Sequence, residues 1–178
     1  MRQLIWLRSD LRVHDNRALS AAMAAGPTLA VYLITPGQWQ AHDDAPCKVD
    51  FWLRNLAALQ VELRRLNVPL LIRHAEHWSA VPAVLAELCR AHAIDCVQVN
   101  EEYGLNETRR DVDVAARLTA EGVGFRRHLD QVLFQPGSLQ TRSGDYFKVF
   151  SPFRKRCYQR LHEQLPAIQP LPRPQAPL

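Results

Sequence analysis

Trp6-Leu7-Arg8-Ser9-Asp10-Leu11-Arg12-Val13-His14-Asp15-Asn16 runs a short apolar strand straight into a loop of alternating charges, and the loop ends on Asn16, a good helix N-cap. In an open parallel sheet, ligands collect at the carboxyl ends of the strands, so the first such loop is where function is to be sought. A dinucleotide-binding turn would place glycines here so that backbone N–H groups could reach a pyrophosphate. No glycine falls between Met1 and Ala25. The first loop has another task.

Outward from this stretch, apolar runs bounded by turn signals alternate with segments of helical period, the pattern of βαβ units around a parallel sheet. Strands are predicted at Gln3 to Arg8, Thr28 to Ile34, Pro69 to His74, Cys96 to Asn100 and Gly124 to Leu129. The middle three are near-continuous apolar runs suited to burial on both faces. Helices are predicted from Asn16 to Gly26-Pro27, from Cys47 to Leu66, from about Ser79 to His92 and from Asn106 to Glu121. In the second of these, Phe51, Leu56, Leu59 and Leu63 form a stripe set against Arg54, Arg64 and Arg65. Right-handed crossovers then favour an α/β fold: a doubly wound, five-stranded parallel sheet, Rossmann-like, in the order 3-2-1-4-5.

After Leu129 the alternation stops. Ser151-Pro152 opens one more helix through about Glu163, and Pro166, Pro170, Pro172, Pro174 and Pro177 crowd the end. The expected organisation is an α/β domain over 1–130 followed by a helical, proline-rich linker over 131–178, ending at a domain boundary. Charge divides at nearly the same place. Up to Val123 there are 13 basic and 15 acidic residues, and from Gly124 onward 9 basic and 3 acidic, so the net charge of +4 belongs to the last third. A positive face of this kind suits nucleic acid phosphates, an acidic neighbouring domain, or simply solvent.

At 178 residues and 47% hydrophobic content the chain can build one proper core. It holds no apolar run of roughly 18 residues able to span a bilayer. The start, with Arg2, Arg8, Asp10 and Arg12, is too charged for a secretory segment, and a cytoplasmic protein is expected. Cys47, Cys89, Cys96 and Cys157 make no Cys-x-x-Cys pair and are expected as free thiols. His74 and His77 lack a third ligand of suitable spacing, so no metal site is assigned. No phosphate-cradling loop, nucleophile elbow or Cys-His arrangement is present, and no catalytic residue is assigned within this stretch of chain.

Two further loops at carboxyl strand ends carry groups a ligand could use. Thr35 to Cys47 contains Trp39, His42, Asp43 and Asp44. Asn100 to Thr108 reads Asn-Glu-Glu-Tyr-Gly-Leu-Asn-Glu-Thr, where Asn106 suits an N-cap and Glu107 the first helical turn. Helix capping alone explains that pair. A carboxylate beside an amide also suits the edge of a heterocycle such as a pterin, whose N–H and exocyclic amine a carboxylate accepts together.

The opening stretch resembles the start of the DNA photolyase and cryptochrome family, which follows a W-[FL]-R-x-D-L-R-x-x-D-N pattern. Thr35-Pro36-Gly37-Gln38-Trp39, Asn106-Glu107-Thr108-Arg109-Arg110-Asp111 and Tyr146-Phe147-Lys148-Val149-Phe150-Ser151-Pro152-Phe153 resemble later segments of the same family, in the same order. The likeness is strongest to the amino-terminal part of bacterial class I cyclobutane pyrimidine dimer photolyases. It implies an antenna-binding α/β domain, with FAD and the repair of UV-damaged DNA belonging to a separate helical domain that packs on this one. In members that use 5,10-methenyltetrahydrofolate as antenna, the resemblance assigns pterin contacts to His42, Asn106 and Glu107. It further implies a monomer, no repair by residues 1–178 alone, and weak or empty antenna binding in isolation. A cryptochrome-type light sensor, a deazaflavin antenna and a free-standing nucleotide-binding module are the alternatives. On this reading Arg8, Asp10 and Arg12 fix the first loop or meet the neighbouring domain and do not touch the antenna.

Overall fold

In the computed structural model, which describes Met1–Leu178, the first apolar run forms β1 (Gln3–Leu7), buried at every residue. Position explains this. β1 is the central strand of a five-stranded sheet, where β2 (Thr28–Ile34) pairs on one side with Val31 opposite Trp6, and β4 (Cys96–Asn100) on the other with Gln98 opposite Ile5. β3 (Leu70–His74) and β5 (Gly124–His128) complete the order β3-β2-β1-β4-β5, with every neighbouring pair parallel. The expected topology is the observed one.

β3 departs from expectation. Its apolar run suggests burial on both faces, but it forms an edge, and only Leu70 and Leu71 are half-buried while Ile72, Arg73 and His74 are exposed. β1, at the sheet centre, takes the place in the core that the sequence assigned to β3.

α1 (Arg17–Ala25) starts as predicted: the Asn16 side chain accepts a hydrogen bond from the Leu19 N–H at 3.0 Å. α2 (Pro36–Ala41) is a helix where a loop was expected, because Pro36-Gly37 reads as a turn although proline also suits the first position of a helix. Gly37 is required there. A Cβ on it would stand 2.8 Å from the Glu76 carbonyl oxygen, and its absence lets the Gln38 N–H donate to that same carbonyl at 3.1 Å.

α3 (Pro46–Arg65) and α1 cover one face of the sheet, burying Leu19, Leu56, Leu59 and Leu63 against Ile5, Leu7 and Tyr32. Phe51, expected on the same stripe, is 64% exposed. The 20 residues of α3 span about 30 Å, far longer than a five-residue strand, so its first turns overhang the sheet. α4 (Val81–Ala91) and α5 (Leu105–Ala120) cover the opposite face with Leu85, Val114 and Leu118 against Leu4, Trp6 and Val99. α5 begins one residue early. Gly104 is its cap, so Asn106 lies inside the first turn and is not the N-cap that the sequence suggested.

α6 (Phe150–Glu163) buries no residue and presents Phe150, Tyr158 and the basic residues Arg154, Lys155 and Arg160. The proline-rich end returns to the domain. The Gln169 N–H donates to Asp15 Oδ1 at 2.7 Å, and the Gln175 side chain accepts from the Thr28 N–H at 2.8 Å and donates to the carbonyls of Thr28 and Asn67 at 2.9 and 2.8 Å.

Candidate functional site

The strand order reverses between β1 and β4, the point at which doubly wound folds usually open a ligand crevice. Here it is filled. Arg8, at the end of β1, donates through Nη1 to both oxygens of Asp111 at 2.7 and 2.8 Å and through Nη2 to the Asn100 carbonyl. Arg110 reaches Asp111 Oδ1 and Glu102 Oε2, both at 2.8 Å. Asn100 Nδ2 donates to Asp10 Oδ2 at 2.6 Å and to Asn16 Oδ1 at 2.8 Å. Asp10 further accepts from the Arg8 N–H at 2.9 Å. Of the alternating charges of the first loop, Arg8 and Asp10 are therefore tied to β4 and α5, and Arg12 pairs with Asp130 beyond β5.

Burial alone would raise the Glu102 carboxyl. The guanidinium groups of Arg8 and Arg110, with hydrogen bonds from Arg110 and the Ser9 hydroxyl, overcome it and hold the group below the ordinary carboxylate range. Glu102 is thus an anion between two cations. Tyr32 beside it is pushed up to about 12, chiefly by burial and then by the charge of Glu102, and stays a neutral phenol.

A cavity of about 280 Å³ opens beside this network, near the lower end of the roughly 300–1,000 Å³ typical of small-molecule sites. All four tryptophans of the chain line it: Trp6 from β1, Trp39 from α2, Trp52 from α3, and Trp78 from the short turn before α4. Cations lie on their faces. Arg8 and Arg110 stand 4.9 and 4.8 Å from the Trp6 ring, Arg110 4.6 Å from Trp78, and Lys48 4.7 Å from Trp52. Such contacts contribute about 0.5–2 kcal/mol each and fix the rings in place. What remains is a slot walled by flat aromatic faces, with the carboxylates of Glu107 and Glu102 at its rim.

His42 and Glu107 both line the cavity. His42 ends α2 and stacks on Trp78 at 6.0 Å with 28° between the rings. Glu107 folds back over Gly104, where a Cβ would lie 2.0 Å from its Oε2, so glycine gives the carboxylate its room. Asn106 does not reach the cavity. It lines a shallower groove that adjoins it, together with Gln38, His42, Trp78, Arg109 and Arg110. Arg8, expected not to touch the antenna, is in the cavity wall together with Ser9 because β1 ends directly beneath it. Missed by sequence reading were Lys48, Trp52, Trp78, Glu102 and Arg110. The only signal for them was the scarcity of tryptophan, since nothing in the spacing brings four scattered indoles together.

Two features test the fit of an aromatic antenna molecule. Arg8 Nε is buried without a hydrogen-bond partner, 3.3 Å from Glu102 Oε2, so its charge is spent on that carboxylate and is not open to a ligand. Glu107 offers the carboxylate that an amine-bearing ring edge requires. The residues suit such a group.

Fold and site together define a doubly wound α/β domain with a tryptophan-lined cavity at the carboxyl ends of β1 and β2. The family model for DNA photolyase matches residues 3–175, and the chain belongs to that family. The deoxyribodipyrimidine photo-lyase of Vibrio cholerae is 38% identical over 154 residues, covering 86% of this chain and 33% of that protein. The crystal structure of a cryptochrome from Synechocystis sp. PCC6803 superposes with a TM-score of 0.80 at 22% identity, over 98% of this chain and 38% of the other. That of an archaeal photolyase from Sulfolobus tokodaii, with two FAD molecules, does so with a TM-score of 0.73 at 23% identity, over 96% and 37%. The chain spans about a third of the length of the curated relatives it matches.

Proposed function

We propose that residues 1–130 form the antenna-binding domain of a deoxyribodipyrimidine photo-lyase, that 131–178 lead toward its FAD-binding domain, and that 5,10-methenyltetrahydrofolate occupies the tryptophan-lined site. The observation that carries this reading is the convergence of four indoles, three stacked cations and Glu107 on one slot at the sheet's carboxyl end. When bound, such a ligand absorbs near-ultraviolet light and passes excitation onward. The protein's part is positional. Trp6 and Trp78 hold the ring plane, Glu107 accepts hydrogen bonds from its amine edge, His42 closes the side at the end of α2, and Asn106 meets the ligand where it leaves the cavity.

The longer protein would bind UV-damaged DNA and repair its pyrimidine dimers in the cytoplasm through the FAD domain, as a monomer. The exposed aromatic and basic face of α6 supports packing against that domain. A signalling role of cryptochrome type is less favoured, because curated relatives at 38%, 37% and 33% identity are photo-lyases.

Titration of the longer protein with 5,10-methenyltetrahydrofolate, followed through the folate absorption band, tests the site. Glu107→Ala is expected to weaken binding about tenfold or more, in keeping with the loss of charge-assisted hydrogen bonds. Unchanged affinity in Glu107→Ala would remove the assignment.

A further inference from the structure

Of the ordinary residues tryptophan absorbs at the longest wavelengths, and this chain places all four of its indoles on one cavity. An aromatic wall can equally be built of phenylalanine or tyrosine. None of the six phenylalanines lines the cavity, and of the four tyrosines only Tyr32 does. The indoles are close together and held. Trp39 and Trp52 lie 5.9 Å apart between ring centroids with 46° between their planes. Arg8 and Arg110 rest on Trp6, Arg110 also on Trp78, and Lys48 on Trp52, while His42 stacks on Trp78. Cations seated on ring faces restrict rotation, so each of these three indoles keeps a constant angle to whatever fills the cavity.

We infer that the four tryptophans are themselves a short-wavelength antenna, collecting ultraviolet light in the indole band and passing it to the ring bound among them. This rests on the antenna reading and adds to it a band of light gathered by the protein's own side chains. An excited indole emits in the near ultraviolet, where the proposed ligand absorbs, and dipole coupling carries excitation between two such groups. That coupling weakens steeply with distance. Donors in the wall of the cavity that holds the acceptor stand as near to it as two packed rings can. Only excitation moves: no bond forms or breaks and no electron is transferred. Light in the indole band is also the light that forms pyrimidine dimers, so on this reading the wavelengths that injure DNA feed the same route as those that drive its repair.

The test uses the longer protein with its flavin, loaded with 5,10-methenyltetrahydrofolate and freed of unbound folate. Folate emission is recorded while the excitation wavelength is scanned, and two bands are compared: the red edge of the indole band, where tyrosine does not absorb, and the folate's own band. Both report bound folate alone, so their ratio does not depend on occupancy. The wild-type ratio is expected to exceed that of folate free in solution by about twofold. Trp39→Phe, Trp52→Phe and Trp78→Phe should each remove about a quarter of the excess, one indole of four being lost. All three rings are half-buried and phenylalanine keeps the wall aromatic, so these variants are expected to fold. A wild-type ratio equal to that of free folate, with the folate's own band present, would overturn the inference and leave the antenna reading standing. An excess untouched in all three variants would overturn it too, by placing the donors in the rest of the longer protein. Absence of any folate band would instead remove the antenna reading, and this inference with it.

Discussion

Gln175 lies near the far end of the proline-rich segment, yet it is bonded to the start of β2 and the end of α3 as closely as a sheet residue. Its side chain satisfies the Thr28 N–H and the carbonyls of Thr28 and Asn67, its N–H donates to the Leu66 carbonyl at 3.1 Å, and its carbonyl accepts from Asn67 Nδ2 at 2.7 Å. Gln175→Ala removes the first three of these. Thr28 is fully buried, so its orphaned N–H costs about 1–3 kcal/mol, and the two lost hydrogen bonds to carbonyls about 0.5 kcal/mol each. The expected loss is about 2–4 kcal/mol, which for a chain of this size lowers Tm by roughly 4–16 °C. Urea denaturation followed by far-ultraviolet circular dichroism measures it, with an unchanged slope marking a stability effect and not a change in compactness. A variant within about 0.5 kcal/mol of wild type would refute the reasoning and show that the segment does not clamp β2.

Asp111→Ala strands two buried guanidiniums on the single carboxylate of Glu102 and should cost about 3–5 kcal/mol in a denaturant titration. Because Arg8 and Arg110 also rest on Trp6, its emission should shift in the folded variant, unlike that of Glu107→Ala. Acid should act in two windows. Burial first, and then Arg126, hold His128 below its ordinary 6.5, so the unfolded chain takes up that proton first and stability falls as pH drops from 6.5 toward the lower folded value. Glu102, held below its ordinary 4.5, contributes stability present above 4.5 and lost as pH falls through its folded value. Denaturation midpoints from pH 8 to 3 check both, and His128→Gln should flatten the upper window alone.

What the sequence disclosed was what depends on short-range order. Asn16 caps α1 because an amide three residues ahead of a free N–H suffices, and the strand order follows from alternation and handedness. His42 and Glu107 fall on one cavity because each follows a strand, and the carboxyl ends of parallel strands share one side of the sheet. What it concealed depends on distance. β3 reads like a core strand until its place at the edge is known, and Phe51 reads like a core residue until the length of α3 is set against the sheet. Asn106 lost its capping role to Gly104 by a shift of a residue or two, which no pattern in the segment resolves.

The filled switch point explains where the cavity lies. In a doubly wound sheet the crevice between the two central strands is open because their crossovers leave in opposite directions. Here Arg8, Glu102, Arg110 and Asp111 occupy it, so the open cavity lies to one side, over the ends of β1 and β2, where α2 and the start of α3 supply the missing wall. The same guanidiniums that close the crevice lie flat on Trp6 and Trp78, so the plug of one site is the floor of the next. On the proposed reading an antenna is held here at a fixed angle, and a floor made of paired, buried charges resists rotation better than exposed side chains would. On that reading the charged loop after β1 acts on the ligand mainly through the tryptophans it fixes.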